Sequence, residues 1–257
     1  MTLMAILLGT LSAGIGSVWL AAALSFGVLA RYTQHMLSLA AGALMATAFL
    51  HLLPEAFESE AGAHDLFLTL LVGVVFFFLL DKAELWHHGH EHHQVHGHAG
   101  HDAAHHHEHR AGSWSVLAGD SVHCFGDGIL IASAFMADLR LGALAALAVL
   151  VHEVPHHMGD LMVLRQSTDT RKAAILKVSL AGALTALGGL AGFWLVDQLH
   201  DYLPYFLVMA SSSFIYVALA DLIPQLQKRL SLRETAAQIA WLMTGMALVM
   251  IVGRLAH

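Results

Sequence analysis

Charge is scarce in this 257-residue chain: Asp, Glu, Lys and Arg make up 12% of it and hydrophobic residues 57%. An average soluble domain carries about 25% charged residues, so one water-soluble domain of this composition would lack the surface to stay dispersed. Basic residues number only 12, are scattered, and leave a net charge of −7. Without a basic stripe there is no footprint for nucleic acid, and that class of partner is excluded. The one cysteine, Cys124, cannot form an intrachain disulfide, so nothing points to a disulfide-stapled secreted scaffold. What is abundant is histidine. Of 21 histidines, 12 fall within residues 87–110.

A membrane core about 30 Å thick takes roughly 20 apolar residues per helix. The sequence supplies eight such runs, at residues 3–30, 36–57, 66–86, 114–137, 141–164, 173–198, 203–227 and 235–255. The first has no basic segment before it and is too long for a secretion signal, so it reads as a membrane helix. The fold expected is all-α: one polytopic transmembrane domain over residues 1–257. Cytoplasmic loops should hold the excess of Lys and Arg. With eight spans, Arg31, Lys82, Arg110, Arg165, Arg171, Lys172, Lys177, Lys228, Arg229 and Arg233 fall on one side, and only Arg140 and Arg254 on the other. Both termini are therefore expected outside the cytosol of a plasma or inner membrane, in contact with the lipid bilayer.

The segment 87–110, HHGHEHHQVHGHAGHDAAHHHEHR, is too polar to fold alone and is expected to be a disordered cytosolic loop between spans three and four. Imidazole suits zinc, copper, nickel and iron, so the loop reads as a weak, multi-site metal buffer. An internal echo links Ala48-Phe49-Leu50-His51-Leu52-Leu53-Pro54-Glu55 in span two with Ala218-Leu219-Ala220-Asp221-Leu222-Ile223-Pro224-Gln225 in span seven. These spans cross in opposite directions, as in an inverted-repeat transporter, here with a 3+2+3 bundle around spans four and five.

Ionisable side chains in mid-membrane cost at least about 2.5–3.5 kcal/mol each on insertion scales and need partners or an ion. Span four holds Asp120, His123, Cys124 and Asp127. At about 100° per residue these lie on one arc. Span five holds His152, Glu153, His156, His157 and Asp160 around Pro155, which removes a backbone donor and frees the carbonyl of Val151. Both clusters fall near the midplane. With the spans side by side, His123, Asp127, His152 and His156 can surround one divalent cation, as paired i, i+4 ligands do in helix bundles. Outside the clusters, His51 and Glu55 form another i, i+4 pair. Glu58, Glu60, His64 and Asp65 make an acidic external loop able to concentrate cations.

His152-Glu153-Val154-Pro155-His156 also satisfies H-E-x-x-H, the zinc metalloprotease signature. An intramembrane protease is therefore the alternative reading. It needs a third ligand and a free glutamate base, and it leaves the span-four cluster without a purpose.

The motifs His123-Cys124-Phe125-Gly126-Asp127-Gly128 and His152-Glu153-Val154-Pro155-His156-His157-Met158-Gly159-Asp160 resemble those of the ZIP metal transporters, in particular the LIV-1 branch with its histidine-rich loop between spans three and four. His51-Leu52-Leu53-Pro54-Glu55 and Phe214 to Asp221 resemble the family's second and seventh spans. The resemblance implies a transporter without covalent chemistry or catalytic cofactor, moving Zn2+ (or Fe2+, Mn2+, Cd2+) toward the cytosol as substrate, with the ion, the lipid bilayer and a second copy of the chain in a homodimer as its partners. It implies two metals between spans four and five. His123, Asp127, His152 and His156 correspond to ligands of the first, and Cys124, Asp127, Glu153 and His156 to ligands of the second. Cys124 stands where the family usually has asparagine, and a soft thiolate donor favours zinc or cadmium over manganese. His157 replaces the glutamate usual for the branch and removes a negative charge beside the second metal.

Overall fold

The computed structural model describes residues 1–25, 33–89, 105–168, 170–226 and 231–255. Among them the chain is helical without any strand, in agreement with the all-α expectation. The helices are α1 (Thr2–Leu11, Ser12–Gly16 and Ser17–Ser25), α2 (Thr33–Thr47, Ala48–Leu52 and Leu53–Phe57), α3 (Ala63–Gly89) and α4 (His105–Ala137). They continue with α5 (Leu139–Ser167), α6 (Arg171–Gly182 and Leu184–Gln198), α7 (Leu203–Tyr216, Val217–Leu222 and Ile223–Leu226) and α8 (Leu232–Leu255). Residues 90–104, the middle of the histidine-rich loop, lie outside the described residues; α3 and α4 extend into its two ends, to Gly89 and from His105.

Seven helices among the described residues are long and apolar enough to cross a membrane. Helix α4, expected as the remaining span, is not one of them. Asp120, Ser121, His123, Asp127 and Ser133 interrupt its apolar run, so the segment that carries the ionisable cluster is the one that hydropathy fails to mark.

Local chemistry sets the helix ends. Asp138 is the only residue between α4 and α5, and its Oδ1 accepts from the backbone N–H groups of Arg140 at 2.8 Å and Leu141 at 3.4 Å. This cap satisfies donors that the first turn leaves open. A connection that short makes α4 and α5 antiparallel neighbours. His123 lies 15 residues before Asp138 and His152 lies 14 after it, so the two clusters meet at one depth. Pro155 sits inside α5, which continues helical across it.

Three helices contain a wide π turn, at Ser12–Gly16, Ala48–Leu52 and Val217–Leu222. The latter two each precede a proline, Pro54 and Pro224, whose missing N–H removes one rung of the ladder and lets the turn widen. The echo between spans two and seven is thus an echo of local geometry. Packing repeats it. Helices α4 and α6 pack together as do α1 and α5; α2 and α8 as do α3 and α7; α2 and α5 as do α4 and α7. The set of pairs is unchanged when α1, α2, α3 and α4 are exchanged with α6, α7, α8 and α5. Each exchange swaps an odd-numbered crossing for an even-numbered one, the relation that a 3+2+3 inverted repeat requires.

Small residues bring the helices close. A Cβ on Gly128 of α4 would collide with the Thr185 carbonyl oxygen and come within 2.7 Å of the Gly189 nitrogen on α6; one on Gly188 would collide with the Phe125 carbonyl oxygen. Such backbone approach is the usual means of association where lipid supplies no hydrophobic drive. Helices α3 and α8 lie outermost, with 11% of their most apolar stretch buried against 67% for α2.

Gly128→Val is expected to force α4 from α6 and lower stability by about 1–3 kcal/mol or more, as overpacking does. Gly126→Ala, where a Cβ meets nothing within 4 Å, should melt like the unmodified chain. Thermal unfolding of both in detergent checks this, and equal melting of the two variants would contradict the close crossing.

Candidate metal centre between helices four and five

Two groups of side chains converge where α4 faces α5. The first comprises His123, Asp127, His152 and Glu153, the second Asp120, Cys124, Glu153 and His157. Within each, one potential ligand atom per residue lies within 4.8 Å of all the others. Each helix contributes through the i, i+4 relation: Asp120 with Cys124 and His123 with Asp127 on α4, Glu153 with His157 on α5.

In the first group Nε2 of His152 lies 3.3 Å from Asp127 Oδ2, 3.2 Å from Glu153 Oε1 and 3.5 Å from His123 Nε2. Nε2 of His123 lies 3.2 Å from Glu153 Oε1 and 3.8 Å from Asp127 Oδ2. Four donors placed tetrahedrally at the usual zinc bond length of about 2.0–2.1 Å are separated by about 3.3–3.4 Å. The separations of 3.2–3.5 Å are close to that edge, and only His123 to Asp127 is longer. Asp127 Oδ2 and Glu153 Oε1 are buried and make no hydrogen bond despite these short approaches. Their lone pairs converge on a common centre instead of pairing one by one with ring N–H groups.

The second group has the same form. His157 Nε2 lies 3.1 Å from Glu153 Oε2 and 3.6 Å from Asp120 Oδ1. Cys124 Sγ lies 3.6 Å from Asp120 Oδ1 and 3.9 Å from both Glu153 Oε2 and His157 Nε2. The longer edges belong to sulfur, as its longer metal bond of about 2.3 Å requires. Asp120 Oδ2 is buried without a hydrogen bond. Glu153 serves both groups, one oxygen in each.

Ring orientation favours metal ligation. Nδ1 of His152 faces the Ala148 carbonyl at 3.2 Å. A carbonyl only accepts, so Nδ1 carries the proton and Nε2 offers its lone pair to the first group. Asp127, His152, Glu153 and His157 are almost wholly buried, whereas His123 keeps 29% of its side chain exposed. His123 therefore marks the open side.

Every expected site residue lies at this junction, grouped differently from the resemblance. His156 is in neither convergent set; its ring stacks on His123 with centroids 5.6 Å apart and meets His152 edge-on at 6.0 Å. Glu153, rather than Asp127 and His156, is the residue shared. Asp120 joins the second group although only its position on the arc pointed to it; the i, i+4 rule applied from Cys124 backwards would have found it. Elsewhere, His51 is half-buried on α2 against Gly253 of α8, where a Cβ would come within 2.5 Å of its Nε2, and Glu55 is exposed. Glu58, Glu60, His64 and Asp65 are all exposed. The side chains of Asp221 and Gln225 lie outside the described residues.

Residues 81–253 match the ZIP Zinc transporter family. The chain belongs to that family. Zinc transporter ZIP13 of Pongo abelii is 28% identical over 272 residues, covering 95% of this chain and 76% of that protein. Zinc transporter foi of Drosophila melanogaster is 30% identical over 141 residues, 54% of this chain and 20% of that protein. Zinc transporter ZIP10 of Homo sapiens is 35% identical over 157 residues, 57% of this chain and 18% of that protein. The chain thus spans three quarters of the first relative and a fifth or less of the other two. This ZIP protein is a multi-pass membrane protein and not an enzyme, and the protease reading finds no support. A protease would need Glu153 as a free base on metal-bound water, but both its oxygens are engaged among the other donors.

Two tightly bound Zn2+ ions per chain, apart from weaker ones on the histidine-rich segment 87–110, are expected in equilibrium dialysis of the purified protein. Asp120→Asn is expected to retain about one, and Glu153→Ala to lose tight binding at both groups. A wild-type stoichiometry of one, or loss of both ions in Asp120→Asn, would break the division into two groups.

Proposed function

We propose that this chain carries a divalent cation, Zn2+ by preference, across a membrane toward the cytosol, holding it at mid-membrane between α4 and α5. The observation that carries the reading is the convergence of buried nitrogen, oxygen and sulfur donors into two tetrahedron-sized groups inside a membrane bundle. The first ion is assigned to His123, Asp127, His152 and Glu153, with His156 beside them against His123. The second is assigned to Asp120, Cys124, Glu153 and His157. Zinc suits this donor set, and the Cys124 thiolate disfavours manganese relative to zinc or cadmium. The names of the relatives point the same way.

Transport proceeds by exposing the centre alternately to the two sides, the common device of inverted-repeat transporters. The Lys and Arg distribution supports both termini outside the cytosol of a plasma or inner membrane. On that orientation the exposed acids at residues 58–65 face the supply side and raise the local cation concentration. The family resemblance supports a homodimer in the lipid bilayer. One transmembrane domain spans residues 1–257, and the histidine-rich segment at 87–110 is a cytosolic metal buffer rather than part of the path.

Proteoliposomes loaded with a zinc-responsive dye test the centre. His123→Ala and His152→Ala are each expected to cut the rate of Zn2+ entry at least tenfold relative to wild type, and equal entry in all three proteins would overturn the assignment. Deletion of residues 87–110 is expected to leave entry within about twofold while reducing the number of weakly bound ions. Abolished entry in the deletion, with the protein still folded, would move the loop into the path.

A further inference from the structure

The second group has a support that comes from neither of the helices that form it. His157 is fully buried on α5, and its Nδ1 lies 2.9 Å from Ser17 Oγ on α1. Ser17 is itself fully buried, and its hydroxyl donates to the Gly14 carbonyl at 2.6 Å. Gly14 belongs to the wide turn Ser12–Gly16, and Ser17 follows it directly. A serine hydroxyl has one proton. When that proton goes to the Gly14 carbonyl, which can only accept, the oxygen meets Nδ1 as an acceptor and Nδ1 carries the ring proton.

In that arrangement Ser17 holds the His157 ring with Nδ1 toward α1. Nε2 is left with its lone pair directed at Glu153 Oε2 and Asp120 Oδ1, both of which are also lone-pair atoms. A positive charge at the centre, a proton on Nε2 or a metal ion, relieves the repulsion among these atoms. The contrast with the first group is instructive: His152 is held by the Ala148 carbonyl of its own helix, whereas His157 depends on α1. Unlike a rung within a helix, this contact spans 140 positions of sequence. It also ends at a turn whose widened geometry presents the hydroxyl, the kind of irregularity that recurs at functional sites.

We propose that Ser17 is a positioning residue for the second metal, acting through His157 by holding its ring with Nε2 toward the ion. The proposal rests on the assignment of Asp120, Cys124, Glu153 and His157 as a metal group. Loss of an outer partner of a ligating histidine typically weakens metal binding by about 10–100-fold, and a loss in that range is expected here.

Co2+ is the probe, because a cobalt ion bound to the Cys124 thiolate shows a sulfur-to-metal charge-transfer band that reports the second group alone. The full chain in detergent is titrated as wild type, Cys124→Ser, Ser17→Ala, His157→Ala and the Ser17→Ala/His157→Ala double variant. Wild type should show the band and Cys124→Ser should lack it. Ser17→Ala should need at least about tenfold more Co2+ to reach it. In the His157→Ala background the same change should add no further loss, since a residue acting through His157 has nothing left to act on.

Wild-type affinity in Ser17→Ala, or a full additional loss in the double variant, would overturn the role of Ser17 while leaving the second group intact. Absence of the band from wild type would instead sink the second group itself, and the role of Ser17 with it. A spectroscopic readout adds a check that does not rest on comparing the affinities of variants. Histidine 15N resonances of the Zn2+-loaded chain, with His157 assigned by its disappearance in His157→Ala, should show Nδ1 protonated and Nε2 bound to metal; a loaded ring with Nδ1 unprotonated would refute the proposal.

Discussion

Three carboxylates buried between two membrane helices must be neutralised, and the rest of the structure is arranged around that requirement. Asp120, Asp127 and Glu153 lie where neither lipid nor bulk water can solvate them, and an isolated buried carboxylate is among the most expensive groups a protein can carry. Four neighbouring histidines supply nitrogens without a fixed charge. Buried charges of this kind persist only when paired or when they coordinate a metal. The single-residue turn at Asp138 and the glycine-mediated crossing of α4 on α6 then have a shared consequence: they prevent the groups from drifting apart when no ion is present. A centre assembled before its ion arrives does not have to recover the ordering entropy at each binding event.

The bundle was largely legible because apolar runs and charged loops report on the membrane directly. Helix α4 shows where that reading strains. Its polar residues keep it out of the strongly apolar set, and the alternation of Lys and Arg across the loops supports the crossing that its apolar run suggests. The echo of Ala48–Glu55 in Ala218–Gln225 also proved structural, since proline at matching places imposes the same widened turn. By contrast, Ser12–Gly16 contains no proline. Its wide turn arises where α1 meets α6 through Gly14 and Gly182, a tertiary contact with no local signal.

For the metal centre, residue types and helical angles identified the face but not the partition. Angles about the axis place Asp120, His123, Cys124 and Asp127 on one arc without saying which residues across the gap each will meet. That depends on axial register, which the Asp138 turn sets. Register puts the His123–Asp127 pair opposite His152 and the Asp120–Cys124 pair opposite His157, with Glu153 between. Ser17 left no trace in the pattern at all. A serine in an apolar helix most often bonds its own backbone, as this one does to Gly14, and only the folded chain shows that its hydroxyl also meets the ring of a histidine on another helix.

The two groups also explain each other's departures from the family pattern. Replacing glutamate by His157 removes one negative charge, and replacing asparagine by Cys124 restores one once the thiol binds a metal and loses its proton. With both groups occupied as proposed, Asp120, Asp127, Glu153 and the Cys124 thiolate carry four negative charges, the number needed to neutralise two divalent ions. Because Glu153 gives one oxygen to each group, an ion entering one draws on the same carboxylate that holds the other. It also adds cation repulsion at short range in a poorly screened setting. Each ion thus loosens its neighbour. Binding strong enough to extract zinc from water and weak enough to release it is the central difficulty of any transport site, and adjacent sites resolve it by letting one ion ease the departure of the next. The shared carboxylate supplies that coupling without a moving part.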